Sequence, residues 1–165
     1  MANVLFCSDL HLGHRNICKY RDQFATEKEH RDALYENYHS KVTKRDKVFF
    51  LGDVCFSREA LEDLSGWVGT KVLVLGNHCV EESGRPTISE LLGVFSEIVG
   101  LYKYKEFWLS HAPIHPDELR GKTNLHGHTH SHNIDDIRYF NCSMENINYT
   151  PISLCEIRGI IGELR

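Results

Sequence analysis

The feature that most restricts the possible folds of this chain is a series of short polar motifs, most of which follow an apolar run. The motifs are Asp9-Leu10-His11, Gly52-Asp53, Gly76-Asn77-His78, Ser110-His111-Ala112-Pro113 and Gly127-His128-Thr129-His130. Short apolar runs are typical of buried β-strands, so each motif is predicted to lie on a loop where a strand ends. Layered folds bring such loops together, and the sequence therefore predicts one site built from distant parts of the chain.

The side chains in these motifs are of the kinds that bind divalent metal ions. Seven of them are candidate ligands: Asp9, His11, Asp53, Asn77, His111, His128 and His130. Seven ligands are more than one tetrahedral metal site accepts, but they suit two ions that share a carboxylate. Asp53 is the candidate for the shared carboxylate because it directly follows a strand. Asp9 and His11 lie two residues apart, as do His128 and His130, so an extended backbone would turn each pair to one side. Such a site is suited to the hydrolysis of phosphate esters.

Length, charge and cysteine usage narrow the class of protein. The chain has 165 residues, and we predict a single domain over residues 1–165. The net charge of −4 gives no overall attraction for duplex nucleic acid or an anionic membrane, although bound metals would reverse the sign locally. No stretch approaches the roughly 20 apolar residues of a membrane span, and no basic segment of a signal peptide precedes the first apolar run. The six cysteines form no Cys-x-x-Cys pair, which favours a reduced, cytoplasmic protein.

The first half of the chain alternates between strand and helix patterns. Buried strands are predicted over residues 4–7, 47–51 and 71–75. Helices are predicted over residues 26–42, with Thr26 as the N-cap, and over residues 57–64, with Ser57 as the N-cap. This alternation predicts an α/β fold with a parallel sheet.

The second half is predicted to be β-rich. Segments 94–110 and 136–160 contain short runs of Val, Ile, Tyr and Phe with little helical spacing, which predicts a second sheet stacked on the first. The polar loop 113–123 lies between two ligand motifs and is predicted to rim the site. His14 and His126 lie near the motifs and are candidates for contact with the substrate or with a ligand. The remaining histidines are predicted to lie on the surface: His30, His39, His115 and His132.

The motif set resembles the calcineurin-like metallophosphoesterase superfamily, whose blocks run D-x-H, G-D, G-N-H, H and G-H-x-H. The match runs from Asp9 to His130, and the segment 9–14 resembles the small stand-alone bacterial and phage members. The resemblance implies a two-sheet αββα sandwich. It also implies that Asp9, His11 and His130 bind one metal ion, that Asn77, His111 and His128 bind the other, and that Asp53 bridges them. His78 would be the proton donor to the leaving oxygen and not a ligand.

One position departs from the superfamily pattern. Asp or Glu usually follows the histidine of G-N-H, whereas this chain has Cys79. A carboxylate there can orient the histidine, and a neutral thiol does so poorly. Three alternatives stay open: a weaker acid at His78, a replacement carboxylate at Glu81 or Glu82, or a small side chain that the tight turn requires.

The predicted function is therefore a dinuclear-metal-dependent phosphoesterase in which a hydroxide that bridges the metals attacks phosphorus. The ligands favour manganese, with iron, cobalt, nickel or zinc as alternatives. The chain has room for few cap elements, so an open site favours a phosphodiesterase acting on a small or nucleotide-like phosphate ester. A phosphomonoesterase and a non-catalytic scaffold of the same fold are the alternatives. No substrate-binding residue is predicted.

Overall fold

A computed structural model describes residues 2–80 and 83–163, which form two β-sheets and four α-helices. The strands of the first sheet are β1 (Val4–Cys7), β2 (Lys47–Phe50), β3 (Thr70–Val74), β4 (Glu97–Val99) and β9 (Ile152–Ser153). The strands of the second sheet are β5 (Tyr102–Tyr104), β6 (Phe107–Leu109), β7 (Thr123–His126) and β8 (Tyr139–Asn141). The helices are α1 (Glu27–Lys41), α2 (Arg58–Ser65), α3 (Ile88–Leu92) and α4 (Leu154–Glu163). Among the described residues, no helix is long and apolar enough to cross a membrane.

The first sheet has the order β4-β3-β2-β1-β9 and is parallel except for β9, which runs antiparallel to β1. Its central strands are buried on both faces, as Val48, Phe49 and Phe50 show, and this explains their uninterrupted apolar runs. Because β1, β2 and β3 run in one direction, the loops that follow them meet at one edge of the sheet. Asp9, Asp53 and Asn77 lie on those loops.

The second sheet has the order β5-β6-β7-β8, and its aromatic side chains pack on the first sheet. The ring of Tyr104 lies 6.2 Å from that of Phe6 and 5.0 Å from that of Phe49, and Tyr102 lies 5.6 Å from Phe49. These contacts confirm the predicted stacking of two sheets. Strands β6, β7 and β8 are parallel, so the loops after β6 and β7 also share one edge.

The two helices predicted in the first half are confirmed, with their caps. The hydroxyl of Thr26 accepts a hydrogen bond from the Glu29 N–H at the start of α1, and that of Ser57 accepts one from Ala60 at the start of α2. Helix α1 buries Leu34 and Tyr38 against the first sheet. The Tyr38 hydroxyl donates to the Val68 carbonyl at 2.8 Å, which fixes the helix to the loop before β3.

The prediction that segment 136–160 contains little helix is wrong at its end: β8 and β9 lie in this segment, but α4 begins at Leu154 and continues past residue 160. Ile157 and Ile161 lie four residues apart and are both buried, which is helical spacing. Ser153 and Glu156 form a reciprocal cap: Ser153 Oγ accepts from the Glu156 N–H, and the Glu156 carboxylate accepts from the Ser153 N–H at 2.8 Å. Helix α3 was not predicted either, and it begins with a similar capping box between Thr87 and Glu90.

Candidate metal centre

The predicted ligands lie on loops with an unusual backbone conformation. Five of them have a positive φ: Asp9 (58°), His11 (52°), Asp53 (49°), His128 (69°) and His130 (50°). The prediction that an extended backbone aligns each i, i+2 pair is therefore wrong, since left-handed residues turn these side chains inward. A non-glycine residue in this region costs about 1–3 kcal/mol and persists only where its surroundings hold it. Such strain concentrates at functional sites.

Hydrogen bonds between neighbouring loops hold this conformation. The Asp9 N–H donates to the Gly52 carbonyl at 3.1 Å, and the His11 N–H donates to the Asp53 carbonyl at 3.1 Å. Gly76 allows a close approach here, because a Cβ atom at that position would collide with the Asp53 carboxylate. Gly127 has the same role against Ser8 and Asp9. The loops after β1, β2, β3 and β7 therefore pack against one another and form one continuous surface.

Asp9, His11 and His130 form a first cluster of ligand atoms that lie within 4.8 Å of one another. Asp9 Oδ1 lies 3.7 Å from His11 Nε2 and 3.8 Å from His130 Nε2. The other oxygen, Asp9 Oδ2, accepts hydrogen bonds from the His128 N–H and the Ser143 hydroxyl, both at 2.9 Å. Asp9 Oδ1 and His11 Nε2 are buried and have no hydrogen-bond partner among the described residues. A cation between them would satisfy both atoms.

Asp53, His111, Asn77 and His128 form a second cluster beside the first. His111 Nε2 lies 3.2 Å from Asp53 Oδ2, 2.9 Å from Asn77 Oδ1 and 3.2 Å from His128 Nδ1. His111 Nδ1 lies 2.7 Å from the Leu51 carbonyl, which can only accept, so Nδ1 carries the proton of the neutral ring. The lone pair on Nε2 then faces two oxygen acceptors, and a cation fits between them.

Electrostatics point to the same need for positive charge. Burial by itself lowers the pKa of His111, but the hydrogen bond and the charge of Asp53 raise it above its ordinary value. A proton on this ring would offset the buried carboxylates, as would a metal ion. Asp9, Asp53 and His111 also have ligand atoms within 4.8 Å of one another, so the two clusters are contiguous. The structure thus brings all seven predicted ligand side chains together.

His78 lies at the edge of these clusters. Its N–H donates to Asp53 Oδ1 at 2.9 Å, and its Nδ1 is buried with no hydrogen-bond partner in the described part of the chain. Cys79 is buried and does not support the His78 ring, because its Sγ accepts a hydrogen bond from the Gly76 N–H at 3.2 Å. The thiol therefore braces the turn that carries Asn77, as expected of a small side chain at a tight turn. Glu81 and Glu82 lie outside the described residues.

A cavity of about 730 Å³ opens beside the first cluster. His11, His78 and His130 line its floor, while aromatic side chains line its walls: Tyr20, Phe56 and Tyr149. His14 lines it as well, whereas His126 is fully buried and does not. The loop 113–123 contributes no residue to this cavity, and neither does the second cluster, so its place at the rim of the site stays a prediction.

Beside His130 lies a charged pair that no sequence motif indicates, the half-buried Glu145 and the buried Arg21. The Glu145 carboxylate lies 3.0 Å from His130 Nδ1 and accepts a hydrogen bond at 2.9 Å from Arg21, a side chain that is 1% exposed. Burial by itself raises the pKa of Glu145, but the His130 hydrogen bond and the Arg21 charge lower it to about 2. Glu145 is therefore ionised at neutral pH.

The prediction that His30 lies on the surface is also wrong. His30 is fully buried, and its Nε2 lies 2.8 Å from Arg21 Nη1, from which it can only accept a hydrogen bond. Spacing could have revealed this, because His30, Leu34 and Tyr38 repeat every four residues and form the buried face of α1.

We expect His30 to make stability depend on pH. Burial and then the Arg21 charge lower the pKa of His30 to about 3 in the folded protein. Between about pH 6.5 and 3, His30 is therefore neutral in the folded protein and protonated in the unfolded chain. Stability should therefore fall as the pH drops from about 6.5 towards 3, by up to about 1.4 kcal/mol per pH unit. The free energy of unfolding, measured by urea denaturation, should fall by about 2 kcal/mol less between pH 7 and pH 5 in His30→Gln than in the unmodified protein, since Gln still offers Arg21 an acceptor. Parallel pH curves for the two proteins would contradict this.

Comparisons with known proteins agree with the geometry. A family model described as calcineurin-like phosphoesterase matches residues 2–154. The uncharacterized protein MJ1445 of Methanocaldococcus jannaschii is 31% identical over 170 residues, covering 93% of this chain and 88% of that protein. The gene 66 protein of Mycobacterium phage L5 is 32% identical over 163 residues, covering 79% of each chain. The protein of unknown function AQ665 from Aquifex aeolicus superposes with a TM-score of 0.76 at 24% identity, covering 97% of this chain and all of that one, which shows a shared fold.

Proposed function

The chain belongs to the calcineurin-like phosphoesterase family, and from this premise we propose that it hydrolyses phosphodiesters of small or nucleotide-like substrates. The family consists of metal-dependent phosphoester hydrolases, which generally bind two divalent metals. The observation that carries the proposal is the convergence of buried polar atoms without hydrogen-bond partners, Asp9 Oδ1 and His11 Nε2, beside the oxygen acceptors around His111. A cation at this place would satisfy these atoms and offset the buried carboxylates.

The proposed ligands divide between the two clusters. Asp9, His11 and His130 would hold one ion, and Asp53 would contribute to both ions. The ligands of the second ion would be Asn77, His111 and His128. When bound, the two ions would activate a water molecule for attack on phosphorus and offset the charge of the phosphate. Mixed oxygen and nitrogen ligands favour manganese, with iron, cobalt, nickel and zinc as alternatives.

The chain's own side chains would position and protonate the reacting groups. Ser143 and the His128 N–H hold Asp9 Oδ2, which keeps Oδ1 directed at the first cluster. The Asp53 carboxylate fixes the His78 backbone, so the His78 ring stays at the floor of the cavity. His78 would hold a proton there and donate it to the oxygen of the leaving alcohol.

The cavity supports the preference for a nucleotide-like diester. The cavity volume of about 730 Å³ accommodates both organic substituents of a phosphodiester. The rings of Tyr20 and Tyr149 on its walls offer faces on which a planar base can stack, whereas the Phe56 ring already contacts the Arg85 guanidinium and the His11 ring. The six cysteines are all free, which supports a reducing, cytoplasmic setting.

The test is hydrolysis by purified protein before and after removal of metal. Chelation should abolish activity and Mn²⁺ should restore it, because no described side chain at the site is placed to replace a metal-activated water. Rates should rank the nitrophenyl ester of thymidine 5′-monophosphate first, bis(nitrophenyl) phosphate second and nitrophenyl phosphate last. A higher rate on the monoester would replace our proposal with a phosphatase. Two bound ions without turnover would indicate a scaffold, and full activity without metal would refute the mechanism.

A further inference from the structure

We propose that Arg21 and Glu145 act together as a positioning pair for the first metal site, the cluster of Asp9, His11 and His130. This inference rests on the proposed function, because it assigns a role to side chains behind a proposed ligand. Neither residue lies in a sequence motif, and Glu145 is 124 positions from Arg21 along the chain. Their role follows from what each of them holds.

Arg21 holds the loop that carries Asp9 and His11. Its Nη2 donates to the Asp9 carbonyl at 2.6 Å, and its Nη1 donates to the Leu10 carbonyl at 3.2 Å. Both Asp9 and His11 have left-handed backbones, which need bracing from outside the loop. A buried guanidinium supplies that bracing with a rigid array of donors, and His30 accepts from Nη1 on the far side.

Glu145 holds the ring of His130. Its Oε1 accepts from Arg21 Nε at 2.9 Å and lies 3.0 Å from His130 Nδ1. A carboxylate can only accept here, so Nδ1 carries the proton and the lone pair lies on Nε2, which faces Asp9 Oδ1 at 3.8 Å. This arrangement fixes the tautomer of the ring and increases its strength as a ligand. The pair thus joins both sides of the first site.

The Arg21–Glu145 pair contacts ligands of the first cluster only, because the ligand rings of the second cluster are held by other groups. His111 Nδ1 faces a main-chain carbonyl, that of Leu51, and not a carboxylate. Loss of the Arg21–Glu145 pair should therefore weaken the first ion and leave the second ion bound. A merely structural ion pair would affect both ions alike, through the stability of the whole domain.

The test is titration of metal-stripped protein with Mn²⁺, which gives the affinity of each ion separately. Glu145→Ala should weaken the first ion by about 10–100-fold and leave the second unchanged. Glu145→Gln, whose amide oxygen can still accept from His130 Nδ1, should restore most of this loss. Arg21→Lys should also weaken the first ion, because one ammonium group cannot reach both carbonyls and Glu145. Glu106→Ala is the matched control, since it breaks an ion pair with Arg158 away from the site.

The outcomes distinguish a positioning role of the Arg21–Glu145 pair from a merely structural one. Selective loss of the first ion with rescue by Gln supports the proposal, even where the melting temperature of the metal-free Glu145→Ala protein falls because the buried Arg21 has lost its partner. Unchanged affinities in Glu145→Ala would overturn it, as would equal weakening of both ions together with a lower melting temperature. A wild-type protein that binds no Mn²⁺ would instead refute the proposed function itself, and the positioning role would fall with it.

Discussion

Asp53→Ala should lose both metal ions together, and hydrolysis should fall by about 10³-fold or more, since the ions supply several kcal/mol of transition-state stabilisation. Asp53 is 2% exposed, and its carboxylate faces His111 on one side and the His78 N–H on the other. No other described carboxylate lies between the two clusters except Asp9, which is already held by Ser143 and His128. Elemental analysis of the purified variant measures the metal content directly.

His11→Ala is the matched comparison for this variant. His11 belongs to the first cluster alone, so its loss should weaken one ion and leave the other bound. Circular dichroism of both metal-free variants controls for misfolding. An Asp53→Ala protein that retains two tightly bound ions would show that the carboxylate is not shared, and the proposed division of ligands would have to be redrawn.

The arrangement of strands and loops was predictable because it depends on local patterns. Each of the three predicted strands in the first half ends within one residue of its observed end. Burial on both faces requires an uninterrupted apolar run, and that pattern is visible in sequence. The convergence of the ligands followed from the strands, since parallel strands deliver their loops to one edge. The individual ligand roles stay predictions until metal binding is measured.

The end of the chain contains sequence signals for a helix, but its composition favours strands. Ser153-Leu154-Cys155-Glu156 has the spacing of a capping box, as does Thr87-Ile88-Ser89-Glu90 before α3. Ile157, Ile160 and Ile161 are β-branched and favour strands by composition, whereas their spacing is helical. The cap and the spacing prevailed because a helix buries Ile157 and Ile161 on one face.

Other features of the site could not be predicted from any local pattern. The contacts of Arg21 with Glu145 and of Asp9 with Ser143 join residues more than a hundred positions apart, and single arginines or serines carry no signal for such pairing. The left-handed backbone of the ligands is likewise held by hydrogen bonds between loops, although Asp and His adopt this conformation more often than most non-glycine residues. Tertiary contacts thus determine how the ligands point, while sequence determines where they lie.

His78→Ala should keep both metal ions and lose activity in a way that depends on the leaving group. His78 contacts the site through its backbone N–H, which the substitution preserves, whereas its ring lines the cavity. Removal of a general acid costs about 10²–10⁴-fold where the leaving alcohol needs a proton. Alkyl phosphodiesters should therefore lose that factor, and nitrophenyl esters should lose little, because nitrophenolate leaves without protonation.

Cys79 provides the discriminating variant for the same residue. Its thiol accepts from the Gly76 N–H, and burial raises its pKa, so it braces the turn as a neutral group. A carboxylate introduced by Cys79→Asp would accept the same N–H, and we expect the ratio of alkyl to nitrophenyl rates to stay as in the unmodified protein. Cys79→Ser, which keeps a small acceptor without the charge, is the control. A selective increase on alkyl esters in Cys79→Asp alone would show that a carboxylate at this position reaches His78, and that the thiol leaves the acid without the support it needs.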